Sequence, residues 1–308
     1  MAMVYRTLGS TGLEVSVIGL GTWQLGGEWG TSFSATEVGA IFDAARQRGI
    51  TLVDTAECYG DHLSERLVGE AIRRDRDRWV IATKFGHRYT VAFEREQAWT
   101  ARAVESQLEG SLEALGVDRI DLYQFHSGTR AVFDNEELWR MLGRRKAEGT
   151  IRHIGISVSS SLPAAEQVYQ VRRAREVGAE CIQVVYNRLQ REPEAEILPA
   201  CEQDHLGVLA RVPLASGFLS GKYRAGAAFG PGDIRSRRSA EEIARLAAEA
   251  QSIRERDVPP GVPMAEWALA WCLRSAAVTA VIPGCKDAAQ VEQNAAAADL
   301  LGSAQASA

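Results

Sequence analysis

Thr51-Leu-Val-Asp54 closes a short apolar run, Ser64-Glu-Arg-Leu-Val-Gly-Glu-Ala-Ile-Arg73 follows with apolar residues at helical spacing, and Trp79-Val-Ile-Ala-Thr-Lys84 runs apolar again. This order predicts two parallel strands joined by a helical crossover. The unit recurs in both directions. Upstream, Val17 to Gly21 leads into a helix over Thr36 to Arg48. Downstream, residues 79–84 lead to Ala98 to Leu115, Ile120 to His126 to Glu136 to Ala147, and Ile151 to Ser157 to Pro163 to Val177. Cys181 to Val185 then precedes Glu194 to Gln203, Gly207 to Arg211 precedes Ala240 to Arg256, and Val278 to Ile282 precedes Ala288 to Ala298. Eight such units predict an α/β fold, a (β/α)8 TIM barrel, with a doubly wound sheet as its rival.

Local signals support that register. Ser34-Ala-Thr-Glu37 has the form of a capping box, and Gly49, Gly116, Gly149 and Gly178 stand where helices should end. Tyr5 to Thr7 and Glu14 to Ser16, around Gly9 and Gly12, predict an N-terminal β-hairpin able to plug the barrel floor. The helix-like Met264 to Arg274 reads as an extra C-terminal helix. No linker-like stretch interrupts the pattern, so residues 1–308 are expected to form a single domain.

Composition narrows the function. The 308 residues are 46% apolar and 24% charged, which supports a sizeable core. A net charge of -5 argues against nucleic acid or an anionic membrane as the main partner and requires an anionic ligand to find a local basic site. No apolar run reaches the roughly 18 residues of a membrane span, and Met1-Ala-Met-Val-Tyr-Arg lacks the apolar stretch of a secretory signal, so a cytoplasmic location is expected. The five cysteines, Cys58, Cys181, Cys201, Cys272 and Cys285, form no CxxC pair and read as reduced thiols. The five histidines show no metal-binding spacing, so no metal is expected.

A barrel carries its chemistry at the C-terminal strand ends. There stand Asp54, Tyr59 in the next loop, Lys84 and His126. An isolated phenol ionises near pH about 10, and a neighbouring ammonium stabilises the phenolate and makes the phenol a better acid. Lys84 can supply that charge, Asp54 can hold Lys84 in place, and His126 can orient a carbonyl toward Tyr59.

At these residues the chain resembles the aldo-keto reductase superfamily. Asp54-Thr-Ala-Glu-Cys-Tyr59-Gly and Ser64-Glu65-Arg-Leu-Val-Gly69 carry the likeness, apart from Val68. Gly19-Leu-Gly-Thr-Trp23, Thr83-Lys84, Asp121-Leu-Tyr-Gln-Phe-His126, Ile154-Gly-Ile-Ser157 and Ile282-Pro-Gly284 follow in the expected order. Arg211-Val-Pro213-Leu-Ala-Ser-Gly217, with Gly221-Lys222, is similar to a bacterial, potassium-channel-β-subunit-like branch. The resemblance implies a single barrel that reduces aldehydes or ketones with NAD(P)H, with Asp54, Tyr59, Lys84 and His126 as catalytic tetrad and Tyr59 as general acid. It places Thr22, Trp23, Asp54, Ser157, Gln183, Arg211, Leu214, Ser216, Gly217, Lys222, Gly284, Lys286, Gln290 and Asn294 at the cofactor.

Departures from the family pattern matter as well. Val158 follows Ser157 where asparagine is common, leaving Ser157 and Gln183 to hold the nicotinamide carboxamide. Arg211 stands where a tyrosine commonly stacks on the nicotinamide; a guanidinium can stack there too, but repels the oxidised ring. Gly284 and Gln290 occupy places where NADP users commonly carry lysine and arginine, so Lys286 is the cation left for a 2′-phosphate. NADP is the expected cofactor, with NAD use open. The substrate, a small carbonyl compound, is expected against Trp23, Tyr59, Phe85 and His126, in a mouth that also holds Trp29, Phe33, His87, Arg88 and Tyr89. Ser127-Gly128 can widen that pocket, and Ser216 to Arg238 is long enough for a lid. Two other readings are a non-catalytic NADP-binding regulatory barrel and a lyase using Lys84 as a Schiff base.

Overall fold

The computed structural model describes residues 3–304. Two short strands, β1 (Tyr5–Thr7) and β2 (Glu14–Ser16), pair antiparallel as the expected hairpin. Eight strands then form one parallel sheet: β3 (Leu20–Gly21), β4 (Leu52–Asp54), β5 (Val80–Phe85), β8 (Ile120–His126), β9 (Ile151–Ser157), β10 (Ala179–Val185), β11 (Gly207–Arg211) and β12 (Ala280–Val281), paired in that order. Parallel bridges from Ile18 to Val281 and from Gly21 to Gly284 join β3 to β12 and close the barrel. Between β5 and β8 a second antiparallel hairpin, β6 (His87–Val91) and β7 (Glu94–Gln97), rises from the C-terminal end of β5.

Strand alternation decides what faces the barrel interior. Leu52, Ala82, Leu122, Cys181, Leu209 and Ala280 pack with Leu8, Leu13 and Val15 of the hairpin, which therefore plugs the floor. Gly9 must be glycine there, because a Cβ would lie 2.1 Å from the Gly207 nitrogen. Two residues further along the same strands, on the same inward side, come Asp54, Lys84, Gln124, Gln183 and Arg211. An apolar layer thus carries a polar one directly above it. Outward residues such as Val53, Ile81, Phe85 and Tyr123 join the main core beneath the helices.

The helices are α1 (Ala35–Gln47), α2 (Leu63–Ile72), α3 (Ala101–Leu115), the short α4 (Arg130–Phe133), α5 (Glu136–Ala147), α6 (Ala164–Arg172), α7 (Ile197–Gln203), α8 (Ala240–Asp257), α9 (Met264–Leu273), α10 (Ala288–Ala296) and α11 (Asp299–Ala304). Ser34 and Glu37 form both bonds of the capping box, and Gly49, Gly116, Gly149 and Gly178 have positive φ beyond their helices. The two helices after β11 exchange their expected roles. Met264–Leu273 is apolar nearly all round and sends Leu269, Cys272 and Leu273 into the main core, so it belongs to the barrel ring. Ala240–Asp257 is apolar on one side and buries Ile243, Ala247, Ala250 and Ile253 in a satellite cluster with Phe218 and Trp267. It is the decoration. No helix among the described residues is long and apolar enough to cross a membrane.

Candidate active site

The polar layer is a connected network. Lys84 Nζ donates to Asp54 Oδ1 at 2.6 Å, to the Thr55 carbonyl at 2.7 Å and to the Tyr59 hydroxyl at 3.2 Å. Gln183 Nε2 donates to Asp54 Oδ2 at 2.6 Å, and Gln124 Nε2 reaches the same oxygen at 3.2 Å. Asp54 and Lys84 are almost wholly buried, so the pair shows the low-dielectric arrangement in which a charge needs its partner. Burial opposes the Lys84 charge, but Asp54 and Tyr59 outweigh it and raise its pKa, holding an ammonium. With three acceptors engaged, this nitrogen is not free to attack a carbonyl, which removes support from a Schiff-base role.

Tyr59 stacks on Trp23 with ring centroids 6.0 Å apart, and its ring lies 4.9 Å from Lys84 Nζ. Lys84 pulls the phenol pKa down as expected, yet burial, aided by Asp54, pushes it up further, so the net shift is upward. The phenol is therefore protonated through neutral pH, ready to donate and held beside the cation that stabilises its anion. His126 sits edge-on to Tyr59 at 6.3 Å. Burial first, then Lys84, His87, Arg211 and Arg95, hold it well below the usual histidine range, leaving a neutral imidazole.

These groups stand at the base of a cavity of about 650 Å³, within the roughly 300–1,000 Å³ common for ligand pockets. Asp54, Tyr59, His126, Thr22 and Trp23 line it. So do Gln183, Arg211, Leu214, Ser216, Gly217, Lys222, Gly284, Lys286, Gln290 and Asn294, all expected at the cofactor. Ser157 is fully buried behind the wall and donates to Gln183 Oε1 at 3.1 Å. Val212, Ala215, Ser216 and Gly217 all have positive φ. For a β-branched residue such as Val212 this is strained.

The model matching residues 17–306 is that of the Aldo/keto reductase family. The chain belongs to this family. It is 37% identical over 237 residues to the aldo-keto reductase YhdN of Bacillus subtilis, covering 76% of this chain and 69% of that one. It is 34% identical over 307 residues to the uncharacterized oxidoreductase YqkF of the same bacterium, covering 96% and 90%. Among solved structures, the holo form of an aldo-keto reductase from Bacillus halodurans matches with a TM-score of 0.79 at 29% identity, over 96% of this chain and 90% of that one. The glycerol dehydrogenase of Gluconobacter oxydans matches with a TM-score of 0.77 at 28% identity, over 94% and 88%.

An aldo-keto reductase uses a nicotinamide cofactor, and the cavity fits one on its own evidence. Arg211 lines it with a buried Nε that has no hydrogen-bond partner, and Lys222 and Lys286 stand on the wall without a carboxylate within salt-bridge distance among the described residues. Such donors suit a flat amide-bearing ring at one end and phosphates at the other. Among the described residues, Arg211 Nη2 donates to the Val158 carbonyl alone, at 3.1 Å.

The substrate end needs correction. Phe85 does not line the cavity: Lys84 faces inward, so strand alternation turns Phe85 outward onto Tyr123, Phe125 and Trp99. Phe33 likewise packs on the core, Tyr89 lies under Arg95, and the exposed Arg88 pairs with Glu96. Gly128 does not widen the pocket, since a Cβ there would lie 2.2 Å from the Phe125 ring. Trp29 and His87 do line it, joined by Glu28, Cys58, Phe93, Arg95 and Gln97, which sequence reasoning did not single out. The segment Ser216 to Arg238 is strapped to the opposite loop. Gly30 N donates to Gly232 O at 2.8 Å, Ile234 N to Glu28 O at 2.9 Å, and Arg235 pairs with Asp233 while lying over Trp29 and Phe229.

Beneath the site Glu57 is buried near Glu65 and His62, accepting from Gln107 Nε2 at 3.1 Å. Burial, reinforced by Glu65, pushes its pKa from 4.5 up to about 8. The folded state thus holds a proton that the unfolded state has released, so stability is fully present below about 4.5 and declines as pH rises toward about 8. Thermal unfolding of Glu57→Gln across this range should show a weaker pH dependence than wild type; parallel curves would refute the assignment.

Proposed function

We propose that this chain reduces aldehydes or ketones to alcohols with NADPH, as one barrel domain acting on a small carbonyl compound in the cytoplasm. The reading is carried by the contact of the buried Lys84 ammonium with both Asp54, at 2.6 Å, and the Tyr59 hydroxyl, at 3.2 Å, beside a neutral His126. The reduced nicotinamide, when bound, supplies a hydride. Tyr59 gives its proton to the carbonyl oxygen, Lys84 stabilises the phenolate left behind, and His126 orients the carbonyl by a hydrogen bond. Gln183 and, through it, Ser157 would hold the carboxamide, Arg211 would stack on the ring, and Leu214, Ser216, Gly217 and Lys222 would follow the pyrophosphate. Gly284, Gln290 and Asn294 line the far end, where Lys286 favours NADP over NAD. The holo form of the Bacillus halodurans relative is consistent with a bound cofactor in this fold. Oxidation of NADPH and NADH across aldehydes, ketones and keto-sugars tests the reading; tight cofactor binding with no turnover would favour a regulatory barrel.

Arg211 makes a second test. Its fixed charge disfavours the cationic oxidised ring relative to the neutral reduced one, by at least about 1 kcal/mol or fivefold, the figure for a fully solvated pair. Arg211→Tyr should therefore lower the ratio of the Kd for NADP to that for NADPH at least about fivefold. An unchanged ratio would remove the predicted bias toward reduction.

A further inference from the structure

The cavity wall divides by charge. On the side built by β11 and the loops after β11 and β12, Arg235 is paired with Asp233, but Arg211, Lys222 and Lys286 have no carboxylate partner within salt-bridge distance among the described residues. On the side built by the loops after β3, β4 and β5 the charges are cancelled. Asp54 pairs with Lys84, and Glu28 pairs with Arg95 at 2.5 Å. His87, like His126, is held below the usual histidine range, chiefly by burial.

The Glu28–Arg95 pair spans two elements. Glu28 is 1% exposed and sits between the loop after β3 and the hairpin β6–β7. Its Oε2 accepts from Trp23 Nε1 at 2.7 Å and from Arg95 Nη2, while Oε1 accepts from the Phe93 amide at 2.7 Å. Arg95 also donates to the Glu94 carbonyl at 3.0 Å, and its guanidinium lies 5.3 Å from the Tyr89 ring. Both charged residues line the cavity beside Trp23, Trp29 and Phe93. A guanidinium in such a place is a carboxylate receptor by geometry. Here Glu28 already occupies that role, and a substrate carboxylate would meet a buried like charge instead of a vacant cation.

We propose that the Glu28–Arg95 pair makes the carbonyl end of the cavity a receptor for uncharged carbonyl compounds with a flat or apolar body, and that Glu28 determines this specificity by masking Arg95. The substrate class rests on the carbonyl-reduction reading, but the charge assignment does not, because binding reports it without turnover. Two probes of nearly equal shape differ by one negative charge: 4-formylbenzamide and 4-formylbenzoate.

Calorimetric Kd values with NADP bound, and kcat/KM with NADPH, should favour the amide in wild type by tenfold or more. Glu28→Gln should shift the ratio toward the carboxylate by tenfold or more. Arg95→Gln, which leaves Glu28 alone, should shift it further toward the amide. The double variant Glu28→Gln/Arg95→Gln should return to within about threefold of wild type. A purely structural role for Glu28 would weaken both probes alike. The proposal is overturned if wild type binds the carboxylate as well as the amide, if neither probe binds, or if the ratio stays fixed in the folded variants. Should Glu28→Gln fail to fold, the shifts in Arg95→Gln and the double variant decide. Ratios that move without any NADPH oxidation would leave the charge assignment standing and overturn carbonyl reduction.

Discussion

Tyr59→Phe is expected to lower kcat for carbonyl reduction by roughly 10²- to 10⁴-fold, the range over which a positioned general acid contributes. The substitution deletes one oxygen and leaves the ring that stacks on Trp23 at 6.0 Å and rests 4.9 Å from Lys84 Nζ. Cofactor affinity should stay within about twofold, because no contact on the nicotinamide or phosphate side of the cavity is touched. The KM for the carbonyl should change little, since the lost proton transfer belongs to the transition state. Lys84 keeps Asp54 and the Thr55 carbonyl as acceptors, so the stability cost should be about 1 kcal/mol. Steady-state kinetics, a cofactor titration and thermal unfolding on one preparation separate these terms. A kcat within tenfold of wild type would assign the proton to another group.

How much of this site could be read in advance follows from where each residue lies. Asp54, Lys84 and His126 end apolar strands, and that position announced them. Lys84 and Phe85 are adjacent on one strand, the first expected in the tetrad and the second against the substrate, although alternation allows only one to face inward. Glu28, Phe93 and Arg95 carried no such signal. They sit in loops or in β6–β7, whose turn, Val91-Ala92-Phe93-Glu94, lacks the Asn-Gly or Asp-Gly pairs that mark hairpins and instead holds Phe93 at φ 69°. Their roles arise from pairing across 65 or more residues, which no local pattern contains. The helices after β11 were mistaken for a different reason. Ala240–Asp257 has the one-sided pattern of a barrel helix, and Met264–Leu273, apolar nearly all round, shows its place only once both of its faces are covered.

The buried ion pair supports the other large effect. Lys84→Met should cost about 3–5 kcal/mol of stability, because Asp54 would remain buried with its counter-charge removed. Gln183 and Gln124 would still donate to Asp54 Oδ2, but neutral amides cannot replace an ammonium at 2.6 Å. Activity should fall by at least about 10²-fold for a separate reason. Lys84 is the group that draws the Tyr59 pKa down, and without it burial and Asp54 act unopposed to make the phenol a weaker acid. Adding Asp54→Asn separates the two effects. Replacing both partners removes the stranded charge, so the double variant should recover most of the lost stability, read by chemical denaturation. Its kcat should remain as low as that of Lys84→Met, since nothing in the pair of neutral side chains stabilises a phenolate. Recovery of kcat in the double variant would show that Lys84 matters only for folding, and a single variant costing under about 1 kcal/mol would show that Asp54 is better solvated than its burial implies.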